Sequence, residues 1–210
     1  MKYAMIFLSL ITMVYAESTW VLTKNSTPLS YSVEFNYLER DALAAKVVRS
    51  GLFTPRYYYD LYSADGTFLA RAINRVISLG LFDPSQMEFD IYDEMNRYVG
   101  YIGGKFWTNG EAKFIFSNAA GAETGSALLS SDSDQAIFTF LSPVNKIVAT
   151  LKGALSGDLS TWELDVKQPI DIDARALKIF GAFISDFHDS FIRKYVNYYY
   201  YINYTNNSST

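Results

Sequence analysis

The most informative segment of the chain is DARALKIFGAFISDFHDSF, residues 173–191. Large apolar side chains recur along it at spacings of three and four, the period of an α-helix. They are Leu177, Phe180, Phe183, Ile184, Phe187 and Phe191. Ile179, Gly181 and Ala182 make the remaining surface apolar or small. A helix that is apolar nearly all round is either buried on every side or lies in a membrane.

Burial within the protein explains this helix better than a membrane span. A span would have to run from Ala176 to about Tyr195, and placing charged groups in lipid would cost several kcal/mol in total, on the order of 2.5–3.5 each. The interrupting residues are Asp186, His188, Asp189, Arg193 and Lys194. We therefore predict a buried helix over about 173–189, with Asp171 or Asp173 as its N-cap.

Four turns precede the helix, each between segments rich in aromatic and β-branched residues, which indicates β-hairpins. The turns are 64–66, 94–96, 119–121 and 143–145. When the four segments are aligned on the last turn residue, position 0, the residue types repeat. Position −7 holds Tyr59, Phe89, Phe114 and Phe138, and position −5 holds Leu61, Ile91, Phe116 and Phe140. Position +4 holds Ala70, Gly100, Gly125 and Ala149, and position +6 holds Ala72, Ile102, Ala127 and Leu151.

The repeat predicts how each hairpin pairs. A two-residue loop, which Asp65-Gly66 favours, pairs position −5 with +4 and −7 with +6 on one face. A large side chain then faces a small one, which leaves room for a thick element against the wall. Segments near 20–24, 31–37, 42–48 and 161–167 bring the candidate strands to about a dozen. The predicted fold is mainly β, a closed antiparallel barrel of about twelve strands around a buried hydrophobic C-terminal helix.

The two ends of the chain differ from its centre. Lys2, the apolar stretch 4–14 and a small-residue site ending at Ala16 are typical of a secretory leader. We expect a signal peptide over 1–16, one barrel domain over 17–192, and a tyrosine-rich polar tail over 193–210. The mature chain would be secreted or periplasmic. In a host that glycosylates, acceptor sequons begin at Asn25, Asn203, Asn206 and Asn207.

Composition excludes several kinds of chemistry. The chain has no cysteine, so it can form neither a disulfide nor a thiolate site. Without Lys2 it has 17 basic and 22 acidic residues, a formal charge of −5, which argues against nucleic acid as a partner. His188 is the only histidine, so a Ser-His-Asp triad would have to use it, but no G-x-S-x-G elbow accompanies it. A favourable charge near the helix end explains His188 equally well. We predict no catalytic residue, no cofactor and no metal site.

Acidic and glycine residues offer weaker candidates. Asp171 with Asp173, and Asp132 with Asp134, supply only two carboxylates each, whereas calcium takes six or more oxygens. Helix capping and turn formation explain these pairs better. Carboxylates for sugar hydrolysis could come from residues such as Asp90, Asp93 and Glu94. The glycines at 100, 103 and 104 lack the context of a phosphate loop and are better explained by crowding in a strand.

Aromatic residues offer one further candidate. Tyr57, Tyr58, Tyr59 and Trp107 could form an exposed platform for sugar or lipid. For each of them we favour a structural role in the wall or the core of the barrel.

Several segments resemble the LURP-one-related group of the Tubby C-terminal-like superfamily, which also includes phospholipid scramblases. They are YDLYSADGTFLARA (59–72), ISLG (77–80), FDIYDEMNRYVGYI (89–102), FTFLSPVNKIVATL (138–151), WEL (162–164) and DAR (173–175). The resemblance covers roughly residues 50–189 and implies a barrel of about twelve antiparallel strands enclosing a hydrophobic C-terminal helix.

The family's ligands do not carry over to matching residues. Tubby proteins bind phosphoinositides through basic residues, and the basic residues here form no comparable motif. They are scattered along the chain, at Arg49, Arg56, Arg71, Arg75 and Lys105. Scramblases place a calcium-binding acidic segment near the helix, where this chain has only Asp171 and Asp173.

These observations favour an exported, non-enzymatic binding or interaction module that engages a lipid, a membrane surface or a protein. The alternative is a secreted hydrolase that uses carboxylates, which would need two or three carboxyl groups with raised pKa values in one cleft. A lipocalin-like carrier is the third hypothesis, but a barrel filled by its own helix has no room for cargo.

Overall fold

A computed structural model describes residues 18–26, 31–51, 56–77, 80, 83–108, 111–131, 134–167, 171–188 and 191, with only the backbone at 106–108 and 111. The expected signal peptide 1–16 and tail 193–210 lie outside these ranges, as do the sequons at Asn203, Asn206 and Asn207. Asn25 is described and exposed.

The chain forms twelve strands and a C-terminal helix within those ranges. The strands are β1 (Ser18–Asn25), β2 (Val33–Glu39), β3 (Ala42–Ser50), β4 (Tyr58–Ser63), β5 (Phe68–Asn74), β6 (Glu88–Asp93), β7 (Tyr98–Thr108), β8 (Glu111–Asn118), β9 (Glu123–Ser131), β10 (Gln135–Leu141), β11 (Ile147–Ala154) and β12 (Thr161–Val166). The helix, α1, spans Ala174–Asp186, and a 3-10 turn spans Pro84–Gln86.

Each strand pairs antiparallel with the next, and β12 closes the barrel by pairing with β1. Closure satisfies the backbone of the first and last strands, which would otherwise be exposed edges. The predicted fold class is therefore confirmed: the protein is mainly β, with a closed twelve-stranded antiparallel barrel and one helix packed in it.

The predicted register is confirmed in all four hairpins. Position −5 pairs with +4 in Leu61↔Ala70, Ile91↔Gly100, Phe116↔Gly125 and Phe140↔Ala149. Position −7 pairs with +6 in Tyr59↔Ala72, Phe89↔Ile102, Phe114↔Ala127 and Phe138↔Leu151. The large residues at −5 and −7 are all buried, so the repeat marks the inner face of the barrel.

The prediction of two-residue loops was wrong. In the first hairpin the Ser63 N–H donates to Thr67 O and the Gly66 N–H donates to Ser63 O, so the loop has three residues, 64–66. A bulge after Leu61 then shifts the register by one residue. A three-residue loop followed by a bulge is a common hairpin form, and the two offsets restore the pairing that a two-residue loop would have given. The other three hairpins have the same bonds and the same shift.

The helix fills the barrel. Asp173 is the N-cap, and its carboxylate accepts a hydrogen bond from the Arg175 N–H. Phe180 lies at the centre, with its ring edge-on to four wall rings at centroid distances of 5.1–5.6 Å. Those rings belong to Phe114, Phe116, Phe138 and Phe140. Leu177 and Ile184 are also buried, so the helix is covered by the sheet as predicted.

The small residues at position +4 make room for neighbouring strands and, at one position, for the segment before the helix. A Cβ on Gly125 would lie 2.7 Å from the Leu141 carbonyl oxygen of the neighbouring strand and 2.8 Å from Cδ1 of Ile172, the residue that leads into the helix cap. A Cβ on Gly100 would lie 2.2 Å from the Ser117 carbonyl oxygen of the neighbouring strand. The space is therefore used by an adjacent strand at both glycines, and at Gly125 also by the residue that leads into the helix.

Candidate functional site

The outer wall of β4–β7 carries a contiguous aromatic surface. Its rings belong to Tyr58 and Tyr62 on β4, Phe68 on β5, Tyr92 on β6, and Tyr98 and Tyr101 on β7. All six are partly solvent-exposed. Cross-strand pairing places most of this surface in two adjacent rows. One row contains Tyr58, Ile73, Asp90 and Tyr101, and the other contains Asp60, Arg71, Tyr92 and Tyr98. We call the six rings, with Arg71 and Arg75, the aromatic face.

The hairpin repeat positions two aromatic pairs in the same way. Positions −4 and +2 pair across the sheet beside the loop, as Tyr62↔Phe68 and Tyr92↔Tyr98. Their rings are T-shaped, with centroids 5.7 and 5.8 Å apart, a preferred arrangement for aromatic pairs. The third and fourth hairpins have Ser117 with Glu123 and Leu141 with Ile147 at these positions, so the face is confined to the first two.

Two arginines of the aromatic face are each held between a carboxylate and a tyrosine ring, an arrangement that we call a clamp. Arg71 donates from Nε and Nη2 to the Asp60 carboxylate at 2.6 and 2.7 Å. Its Cζ lies 5.5 Å from the Tyr58 ring centroid. Bidentate pairing fixes the plane of a guanidinium, and stacking on a ring holds it further.

The second clamp repeats the first on the neighbouring strands. Arg75 donates to Asp90 at 3.0 and 2.7 Å, and its Cζ lies 4.6 Å from the Tyr101 ring centroid. The face is therefore held in one arrangement before any partner arrives.

The hydrogen bonds of the face also shift the pKa values of its ionisable side chains. The hydrogen bonds to Asp60 and Asp90 raise the pKa values of Arg71 and Arg75. Burial raises the pKa of Tyr101, and the hydrogen bond that its hydroxyl donates to Glu88 raises it further. At neutral pH the guanidinium groups are charged and the Tyr101 phenol is neutral.

A second polar site lies where the helix ends. Asp186 Oδ2 is 2.8 Å from Arg49 Nε and accepts a hydrogen bond from the Tyr59 hydroxyl at 3.0 Å. Lys24 Nζ lies 3.3 Å from Oδ1 and 3.3 Å from the Asp186 carbonyl oxygen. Burial raises the pKa of Tyr59, and the charge of Asp186 adds to this. The Asp186 cluster thus ties β1, β3 and β4 to the helix.

A cleft of about 300 Å³ opens beside this cluster, lined by Lys24, Ser26, Leu159, Ser160, Ser185, Asp186 and His188. His188 is buried, with its ring 5.2 Å from that of Trp162. The Asp186 carboxylate is already committed to Arg49, Tyr59 and Lys24. The cluster therefore functions as a structural clamp rather than as the acid of a Ser-His-Asp relay.

The predicted tyrosine platform is divided between three environments. Tyr59 is fully buried in the core, and Tyr57 packs edge-on against Phe187 at 5.9 Å. Only Tyr58 belongs to the aromatic face, so the wall-and-core explanation is right for Tyr59. The Trp107 side chain lies outside the described part of the chain.

The candidate carboxylates are used in local structure. Asp90 pairs with Arg75, and Glu94 is exposed at a loop tip. Asp93 accepts hydrogen bonds from the backbone N–H groups of Met95 and Arg97, and the Arg97 side chain lowers the pKa of Asp93. The lowered pKa of Asp93 is the opposite of the raised value that the hydrolase hypothesis needs.

Among the candidate calcium ligands, Asp173 has a structural role. Asp173 caps the helix and pairs with Arg175, beside a crevice of about 180 Å³ that Asp171 also lines. Asp132 lies outside the described ranges. Among the residues that the structure describes, no group of three or more carboxylate or histidine side chains is placed to hold a metal ion.

Three of the basic residues take part in ion pairs, and one of the glycines relieves crowding as predicted. Arg49, Arg71 and Arg75 each pair with a carboxylate on a different element. A Cβ on Gly104 would lie 2.1 Å from Ser85 O in the 3-10 turn, so this glycine relieves crowding.

Sequence reasoning missed the aromatic face. The hairpin alignment was used only for inward positions, although −4 and +2 are aromatic in both of the first two hairpins. Reading the outward positions in the same alignment would have found four of the six rings.

The fold and site define a class: an antiparallel β-barrel closed around its own helix, with an ordered aromatic surface on the outer wall. No protein-family model matches the chain, and no curated protein sequence matches it significantly. Over the described ranges, α1 is too short to cross a bilayer, and no other helix there has the length and apolarity to do so.

Proposed function

We propose that the chain is an exported, non-enzymatic binding module with a Tubby C-terminal-like barrel of the LURP-one-related kind. The leader-like sequence at 1–16 supports export, and the resembling segments together with the closed barrel and single helix support the superfamily. The interior is filled by Phe180, Phe183 and their neighbours, so a ligand would bind to the outside.

The aromatic face is the observation that carries the binding role. Tyrosine and arginine are among the residues enriched at positions that dominate binding energy, because they offer large area and hydrogen bonds together. Here Arg71 and Arg75 are already oriented by bidentate ion pairs, so little side-chain freedom is lost on binding. Burying these ion pairs in hydrocarbon would be costly, so a polar partner fits the face better than the interior of a bilayer.

Binding can be tested with the secreted full chain on peptide arrays, glycan arrays and lipid vesicles. The test variant is Tyr92→Ala/Tyr98→Ala, and the matched control is Ile147→Ala, which changes position +2 of the fourth hairpin. We expect at least one ligand to bind the wild type and the control but to bind the double variant about tenfold more weakly. Binding that is unchanged in the double variant, or absent for every ligand, would refute the proposal.

Export has its own test. Expression in a secretory host should yield a protein in the medium or periplasm that begins at Glu17, as read by mass spectrometry. An uncleaved chain that stays inside the cell would contradict this part of the proposal.

A further inference from the structure

We propose that the cleft beside the Asp186 cluster is a second binding site, which takes a small organic carboxylate. The cleft lies between the end of β1, the segment that precedes β12 and the end of α1. The aromatic face is on β4–β7, so this site goes beyond the proposed function and does not depend on it. Three properties of the cleft point to the ligand: its net charge, its unused hydrogen-bond donors and its size.

The Asp186 cluster contains more positive than negative charge. Lys24 and Arg49 both pair with the single carboxylate of Asp186, so one positive charge is left over within the cluster. The C-terminal end of α1 contributes about half a negative charge, which leaves about half a positive charge. The Lys24 side chain is 27% exposed and lines the cleft, so an anion can reach its ammonium group. Such a small excess favours a monoanion over a phosphate group, which carries about −1.5 to −2.

The cleft has unused donors, whereas its carboxylate is occupied. Lys24 Nζ donates to the Asp186 carboxylate and to the Asp186 carbonyl oxygen, so one of its three N–H groups has no partner among the described residues. The hydroxyl of Ser185, a buried residue that also lines the cleft, forms no hydrogen bond within the same part of the chain. The Asp186 carboxylate already accepts from Lys24, Arg49 and Tyr59. A buried donor without a partner is costly, so a ligand that brings acceptors is favoured.

The size of the cleft and the rest of its lining define the body of the ligand. A volume of about 300 Å³ holds about ten non-hydrogen atoms, at about 30 Å³ for each water-sized group. This volume is at the lower end of the range for ligand-binding clefts. Leu159 and His188 also line the cleft and can contact an apolar or aromatic body. The ligand is therefore a single carboxylate on a small, mainly apolar body.

Benzoate has this charge and size, and benzamide is its neutral control, because the two have the same shape and differ in charge. Nuclear magnetic resonance titrations of the isotopically labelled, secreted full chain would measure both affinities. We expect benzoate to shift the amide signals of Lys24, Ser160 and Ser185 and to bind about tenfold more tightly than benzamide.

Ser185→Ala tests the site without disturbing its ion pairs. Because the Ser185 hydroxyl has no partner in the described part of the fold, the variant should unfold at the same temperature as the wild type. It should nevertheless bind benzoate about tenfold more weakly, since it lacks a hydrogen bond to a charged group. Ser126→Ala is the matched control, because it changes a buried serine on β9, away from the cleft, and should bind benzoate as the wild type does.

Lys24→Met removes the ammonium group and should abolish benzoate binding. The inference is overturned if the wild type does not bind benzoate, if it binds benzamide equally well, or if Ser185→Ala or Lys24→Met binds benzoate as tightly as the wild type. None of these results bears on the aromatic face, which Tyr92→Ala/Tyr98→Ala tests separately.

Discussion

Asp186 shows how a single residue can oppose a local rule and still be stabilised by the fold. A carboxylate at the last position of a helix is unfavourable, because that end carries about half a negative charge. The compensating cations come from the barrel wall, and one of them, Lys24, is 162 positions away in sequence. The sequence predicted the helix but not this cluster, since nothing local to Asp186 identifies such distant partners.

Asp186→Asn is expected to destabilise the protein strongly. The change preserves size but leaves the nearly buried Arg49 guanidinium without a counter-charge, which typically costs about 3–5 kcal/mol. Urea unfolding would measure the loss. Glu34→Gln is the matched control, because it removes an exposed partner of Lys46 and should cost less than about 1 kcal/mol. Equal effects of the two changes would contradict the buried cluster.

Stability should fall in acid because of carboxylates with depressed pKa values. Burial alone would raise the pKa of Asp173, but hydrogen bonds from Arg175 outweigh burial and hold it below the ordinary 3.8. Hydrogen bonds from Ser63, Arg97 and Ser160 likewise lower the pKa values of three turn carboxylates, those of Asp65, Asp93 and Asp158. Their stabilisation is complete above pH 3.8 and is lost as the pH falls through the folded-state values.

Unfolding titrations at pH 5, 3 and 2 would measure this dependence. Asp173→Asn keeps a side chain that can cap the helix, so its stability should decline less between pH 5 and pH 2 than that of the wild type. A decline as steep as in the wild type would show that the Asp173 charge makes no contribution.

At the scale of elements, the four repeated hairpins show why register was predictable and loop length was not. Register follows from which side chains must be buried, and the apolar residues at −7 and −5 fix it. A two-residue loop and a three-residue loop with a bulge give the same inward pattern, so burial cannot separate them. The deciding feature is backbone conformation: φ is positive at position 0, with +84° at Gly66, +60° at Asn96, +80° at Gly121 and +59° at Asn145, but not at position −1, where a two-residue loop would need it.

Asn145 provides a test of the loop. Asn145→Gly should leave the free energy of unfolding nearly unchanged, because glycine adopts positive φ without strain. Asn145→Val should cost about 1–2 kcal/mol, since a β-branched residue is strained there. Thermal unfolding of both variants checks the prediction, and equal stabilities would argue against the left-handed loop residue.

The helix core can be tested at Phe180. Phe180→Ala removes the ring that four wall phenylalanines surround and is expected to cost about 3–5 kcal/mol. Ile147→Ala, at an exposed position on β11, should stay within about 0.5 kcal/mol. If Phe180→Ala were as mild as the control, the ring could not be enclosed by the sheet.

For the whole molecule, filling the barrel with its own helix separates stability from function. The interior supplies the core, so the binding that we propose would use the outer wall, where the first two hairpins carry aromatic residues and the later two do not. The closed barrel was predictable because an all-round apolar helix requires cover on every side. The aromatic face was not predicted, because its order depends on Arg71 and Arg75 meeting particular carboxylates and rings across the sheet.

Hydrogen exchange of the helix amides tests the enclosed helix most directly. The backbone N–H groups from Leu177 to Ile184 should exchange only through global unfolding, with the same free energy as those of β8 and β10. Exchange of these helix amides at a markedly lower free energy than the strand amides would show that the helix leaves the barrel by itself, and would contradict a core built around it.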